Sequence, residues 1–167
     1  GEKIWHYTYL AICAAIFFFL IAPIVVVIPL SFNAEPYFTF TDKMLSFDPE
    51  RPCIGFAMRN DLVGNYIQGR LHGGMISATL DTVGGLAVVV AVAEKYHHET
   101  ADQIAHRFGR VGTIDLRVDY LRPGMGERFV AAGWVTRLGG RIASVQMSLE
   151  NEAGVPIATG AAAYVIS

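Results

Sequence analysis

The sequence predicts an α+β fold in which an antiparallel sheet wraps one long central helix, with a separate apolar helix at the N-terminus. Three observations carry that expectation. A glycine-led, almost wholly apolar stretch from His72 to about Ala93 reads as one buried helix. Four strand-like runs follow residue 112 with no further long helix among them. From Tyr9 to Leu30, 20 of 22 residues are hydrophobic, the exceptions being Pro23 and Pro29. So apolar a central rod needs cover on nearly every face, and only the strands are available to give it.

The N-terminal run sets the domain division, 1–43 and 44–167. The whole chain of 167 residues is 53% hydrophobic and 17% charged, against about 25% charged in an ordinary soluble domain. Outside Tyr9–Leu30 the hydrophobic share falls to about 47%, and all 13 basic and 15 acidic residues lie there. The net charge of −2 argues against a nucleic-acid partner. Cys13 and Cys53 make neither a disulfide framework nor a metal spacing, so they read as structural apolar residues.

Tyr9–Leu30 has the length of a bilayer span, about 20 apolar residues. Trp5, Tyr7 and Tyr9 before it, and Tyr37 and Phe38 after it, are placed as interfacial anchors would be. Lys3 precedes the run while Lys43, Arg51 and Arg59 follow it, which puts the C-terminal body in the cytoplasm, anchored to the inner membrane. A secretory signal fits less well, since the core is too long and no A-x-A site follows. The alternative is a helix buried against a partner subunit. The stretch IAPIVVVIPLSFNAEPYFTFT also resembles the first membrane segment of polyamine-type ABC transporter permeases. That resemblance spans about 40 residues of low-specificity apolar sequence, and it implies a permease start fused to an unrelated domain.

In the second domain, Met44–Phe47 reads as a short extended piece, Asp48–Pro52 as a turn and Cys53–Arg59 as a strand. Asn60–Leu71, with Gly64, Asn65 and Gly69, reads as a loop. The central helix then runs to about Ala93. Gly84-Gly85 inside it costs on the order of 1 kcal/mol per glycine relative to alanine, which implies close backbone approach, as to a partner helix in a dimer. Thr100 with Gln103 is a capping-box pair opening a short helix to about Phe108. Strands are expected at Thr113–Arg122, Glu127–Leu138, Arg141–Asn151 and Val155–Ile166. In the first of these Ile114, Leu116, Val118 and Tyr120 alternate with Asp115, Arg117 and Asp119.

The chemistry concentrates at Leu71-His72-Gly73-Gly74 and at Asp81, the one acidic residue between Asp61 and Glu94. Glycines at a helix N-terminus offer backbone N–H groups and the positive end of the dipole, which suit a developing oxyanion. A carboxylate in an apolar helix is costly unless exposed or functional. His72 and Asp81 stand nine residues apart, or roughly 13.5 Å of rise and about 900° of rotation. They therefore lie on opposite faces, and a reaction using both needs one of them from a neighbouring chain. A two-fold dimer with antiparallel central helices meets that need.

The run L-H-G-G-M-I-S-A-T-L-D (Leu71–Asp81), followed by T-I-D-L-R-V-D-Y-L-R-P (Thr113–Pro123), resembles the hotdog-fold acyl-CoA thioesterases of the PaaI-like group, with the YigI-like branch the best fit. The resemblance covers about residues 44–167 and includes G-N-x-x-Q ahead of the HGG. It implies that the Gly73 backbone forms the oxyanion hole and that Asp81 activates water or attacks the thioester. It also implies that Thr113, on the strand from the partner's catalytic side, helps place the water and that Asn65 orients thioester or water. Asn65 lies seven residues before His72, where the PaaI-like pattern has six.

Other readings accompany these. Asp81 could instead be a helix-face carboxylate with a structural partner, and Thr113 an ordinary strand residue. His72 reads as fixing the loop by hydrogen bonding in preference to acid–base work. Gly74 joins Gly73 at the substrate. Arg70, Arg110 and Arg122 are candidates for the phosphates of coenzyme A, since guanidinium forks suit phosphate; surface arginines are the plainer reading. His97, His98 and His106 read as a solvated helix end, so no metal is expected. No cofactor is expected either, coenzyme A being part of the substrate.

The expected function is hydrolysis of medium- or long-chain acyl-CoA to free acid and coenzyme A at a homodimer interface, with a dimer of dimers as a further option. The alternatives are an acyl-CoA-binding hotdog module without turnover, and a membrane-transport component resting on residues 9–30.

Overall fold

The computed structural model describes residues 2–31 and 45–166. The chain divides into two compact units, Gly1–Tyr37 and Phe38–Ser167. In the first, helix α1 spans Glu2–Ser31 and includes the whole Tyr9–Leu30 run. Trp5, Tyr7 and Tyr9 stand exposed on it. Tyr37, Phe38 and Lys43, named above as anchors or flanking charge, lie outside the described residues.

The second unit begins with β1 (Leu45–Ser46) and β2 (Cys53–Ala57). Later strands are β5 (Gly112–Tyr120), β6 (Arg128–Leu138), β7 (Ile142–Asn151) and β8 (Pro156–Val165). These six form one antiparallel sheet in the order β1-β2-β6-β7-β8-β5. It curves around α2 (Gly73–Lys95), so the expected architecture is the one observed. A short α3 (Ala101–Phe108) follows, opened by the capping box of Thr100 and Gln103.

Asn60–Leu71 is more ordered than a loop. It holds a 3-10 turn at Asn60–Leu62 and a two-stranded hairpin, β3 (Val63–Asn65) with β4 (Arg70–Leu71). Asn65 Oδ1 accepts the N–H groups of Ile67 and Gln68, and Gly69 turns the chain at φ +61°. Strands so short carry no periodicity to read.

The central helix is also less enclosed than its composition implies. Ile76, Leu80, Val83, Ala87, Val88 and Val92 are buried, packed with Ala131, Val145, Met147 and Leu149 of the sheet. Each such aliphatic burial is worth about 1.5–3 kcal/mol. Leu86, Val89, Val90 and Ala93 stay only half-buried. The sheet covers one side of the rod.

Gly84 has a reason other than a partner helix. A Cβ there would press on the Tyr164 hydroxyl and come within 2.5 Å of Met147 Sδ, both in the same chain. Close helix–sheet approach is achieved instead at Gly133 of β6, where a Cβ would lie 2.8 Å from the Val83 carbonyl oxygen. The alternation in β5 is interrupted too. A register shift between Thr113 and Asp115 leaves Ile114 as an extra, exposed residue, and Tyr120 is exposed as well. Leu116 and Val118 keep their inward places.

Candidate active site

The first feature is the N-terminus of α2. His72 is its N-cap, extended at φ −66°, ψ 135°, and its Nδ1 accepts the N–H of Gly74 at 2.9 Å. Gly74 must be glycine for this cap, since a Cβ would sit 2.9 Å from that same nitrogen. The His72 N–H donates to the Leu62 carbonyl and the Leu71 N–H to the Gly124 carbonyl, so the loop is pinned on both sides. Tyr120 donates its hydroxyl to the Gly73 carbonyl at 3.0 Å. The Gly73 N–H finds no acceptor among the described residues. A helix N-terminus with one N–H left over is a ready donor to a developing negative charge.

The second feature is Asp81, half-buried on the same helix. Its Oδ1 accepts from the Thr113 hydroxyl at 2.8 Å and from the Tyr164 hydroxyl at 3.1 Å. Tyr164 also lies 2.9 Å from the Asp81 carbonyl oxygen. Asp81 Oδ2 has no partner among the described residues. Thr113 and Asp81 meet within one chain, so the two belong to one half-site. Burial, and then the neighbouring Asp81 carboxylate, push the Tyr164 hydroxyl far above the ordinary phenol range, so it remains a proton donor.

Gly73 and Asp81 are eight residues apart on one helix, or about 12 Å of rise. One carbonyl group cannot touch both within a single chain.

An open cleft of about 510 Å³ lies beside the helix N-terminus, lined by Arg70, Gly73, Ile76, Tyr120 and Arg122 among others. It thus gathers two of the three candidate arginines around Gly73. Arg122 donates to the Pro156 carbonyl at 3.2 Å. Arg110 is elsewhere, in a separate depression with Asp102, His106 and Arg107 at the end of α3. Asn65 is engaged in its own turn, as described. His97, His98 and His106 are exposed, and no metal-holding cluster occurs among the described residues.

Tyr164 is the site residue that sequence reading misses. It is the bulky residue that follows the small ones at 158–163, and Gly84 is its counterpart on the helix. That pairing is the only signal in the sequence, and it spans 80 residues.

Residues 68–158 match the family model of the thioesterase superfamily. The medium/long-chain acyl-CoA thioesterase YigI of Escherichia coli K12 is 39% identical over 120 residues, covering 72% of this chain and 77% of that one. Its Salmonella typhimurium LT2 counterpart is 42% identical over 113 residues, covering 68% and 73%. The chain belongs to the thioesterase superfamily. A crystal structure of a Shewanella oneidensis protein related to that superfamily superposes on this thioesterase with a TM-score of 0.69, at 38% identity, covering 72% of this chain and 78% of that one. The fold is the hotdog, and the protein is an enzyme, a thioester hydrolase.

Proposed function

We propose that this thioesterase hydrolyses medium- or long-chain acyl-CoA at sites shared between two subunits. Asp81 Oδ2 of one subunit takes a proton from water, and the resulting hydroxide attacks the thioester carbonyl. The oxyanion forms against the Gly73 N–H of the other subunit. The C–S bond then breaks, the proton held by Asp81 passes to the coenzyme A sulfur, and free acid leaves. The chemistry needs water alone, with no further cofactor.

The observation that carries this reading is the separation of the two groups. Among the described residues the Gly73 N–H and Asp81 Oδ2 are both without partners, yet about 12 Å of helix divides them. A two-fold axis with antiparallel α2 helices brings one to the other. The half-buried Leu86, Val89, Val90 and Ala93 and the outer edge of β5, unpaired among the described residues, offer surface for such a partner. Arg70 and Arg122, beside Gly73, suit the phosphates of coenzyme A. The E. coli and Salmonella relatives, named as medium/long-chain acyl-CoA thioesterases, support the chain-length class.

Decanoyl-CoA hydrolysis by the wild type and by Asp81→Ala tests the reading. Turnover falls by about 100-fold or more if Asp81 is the base; undiminished turnover rejects it.

The apolar run in α1 serves in this reading as an anchor to the inner membrane, with the catalytic unit on the cytoplasmic side. Lys3 before the run against Arg51 and Arg59 after it supports that orientation. Protein containing residues 1–43 should sediment with membranes, and protein lacking them should be soluble, dimeric and active. Sedimentation of both forms alike would remove the anchor from the account.

A further inference from the structure

Tyr164 is nearly inaccessible, at 2% exposure, yet its hydroxyl is aimed at a residue of the active site. It reaches both the backbone carbonyl and the carboxylate of Asp81, at 2.9 and 3.1 Å. Contact with two points of one residue fixes how the side chain leaves the helix. Thr113 lies opposite Tyr164 in the β5–β8 ladder, and opposed residues project from the same face. The irregularity just after Thr113 re-aims the strand at this point, as bulges beside active sites do. Gly84 leaves the space the hydroxyl occupies.

We propose that Tyr164 is a positioning residue of this thioesterase: with Thr113 it holds Oδ1 of Asp81 and so presents Oδ2 as the oxygen that takes the proton from water. This rests on the reading of Asp81 as the base. The phenol stays protonated beside the carboxylate and remains a hydrogen-bond donor throughout. It does not touch the substrate. Its effect falls on the rate of the chemical step and leaves binding unchanged.

The test measures kcat and KM for decanoyl-CoA in wild type, Tyr164→Phe, Gly84→Ala, Asp81→Ala and the double variant of Tyr164→Phe with Asp81→Ala. Misplacing the base lowers kcat by about 10- to 100-fold in Tyr164→Phe, with KM within about twofold. Gly84→Ala, which displaces the same hydroxyl, shows the same split. In the Asp81→Ala background, Tyr164→Phe produces no further loss, whereas a merely structural role would lower both backgrounds alike. Wild-type kcat in Tyr164→Phe beside an inactive Asp81→Ala overturns the positioning role alone. An equal loss in both backgrounds does the same, as does an unfolded Tyr164→Phe beside a fully active Gly84→Ala. Full turnover in Asp81→Ala overturns the underlying reading as well.

Discussion

Thr113 and Tyr164 sit opposite each other on β5 and β8, and both hydroxyls converge on Oδ1 of Asp81, at 2.8 and 3.1 Å. One carboxylate oxygen is thereby occupied twice while the other has no partner among the described residues. At the N-terminus of the same helix, His72 occupies the Gly74 N–H, and that of Gly73 has no acceptor among the described residues. Each half-site thus has one reactive atom kept free by a neighbour that is held.

Gly73→Pro tests the oxyanion donor with little risk to the fold. Gly73 is the first residue of α2, a position proline favours, and His72 already has the extended backbone that a following proline requires. The substitution removes the N–H that has no acceptor among the described residues. Thermal unfolding should stay within a few degrees of wild type, while kcat for acyl-CoA falls by about 100- to 1,000-fold. An active, folded Gly73→Pro protein would exclude that N–H from the reaction.

Arg70 and Arg122 share the cleft with Gly73. If they meet phosphate, Arg70→Ala and Arg122→Ala each raise KM for decanoyl-CoA by about tenfold, the worth of a charge-assisted hydrogen bond. Hydrolysis of the decanoyl thioester of N-acetylcysteamine, which has no phosphates, should be unchanged. Arg110→Ala is the informative contrast, because Arg110 lines a different depression of its own chain. Equal losses on both substrates would assign Arg70 and Arg122 to structure.

Glu152 gives a pH-dependent stability. Its carboxylate accepts the backbone N–H groups of Glu127 and Arg128, each at 3.1 Å. The Glu127 N–H is the foremost cause holding that carboxyl below the ordinary carboxylate value. A depressed folded-state value stabilises above the unfolded one, and the benefit is lost as pH falls through the folded one. Glu152→Gln should therefore melt lower than wild type at neutral pH, and the gap should shrink as pH falls below the ordinary carboxylate range. A gap that widens on acidification would contradict the sign.

The helix led by His72-Gly73-Gly74 and the four long strands are legible in the sequence because periodicity and caps are local properties. The Thr100–Gln103 box is legible for the same reason, its partners being three residues apart. The β3–β4 hairpin is not, since strands of three and two residues show no period. Nor is the exposed position of Ile114, which depends on where β5 loses register with β8. Gly84 shows most clearly what a local reading lacks. Its glycine character is visible, but the hydroxyl it accommodates belongs to a residue on the last strand.

The central claim is that Gly73 and Asp81 act together only across two subunits, and co-expression of Asp81→Ala with Gly73→Pro tests it most directly. Random pairing makes half of the dimers mixed, and each mixed dimer holds one intact site of its two. The account predicts recovery of about a quarter of wild-type acyl-CoA turnover from two variants that are each inactive alone. No recovery, in dimers shown to be mixed, would contradict it.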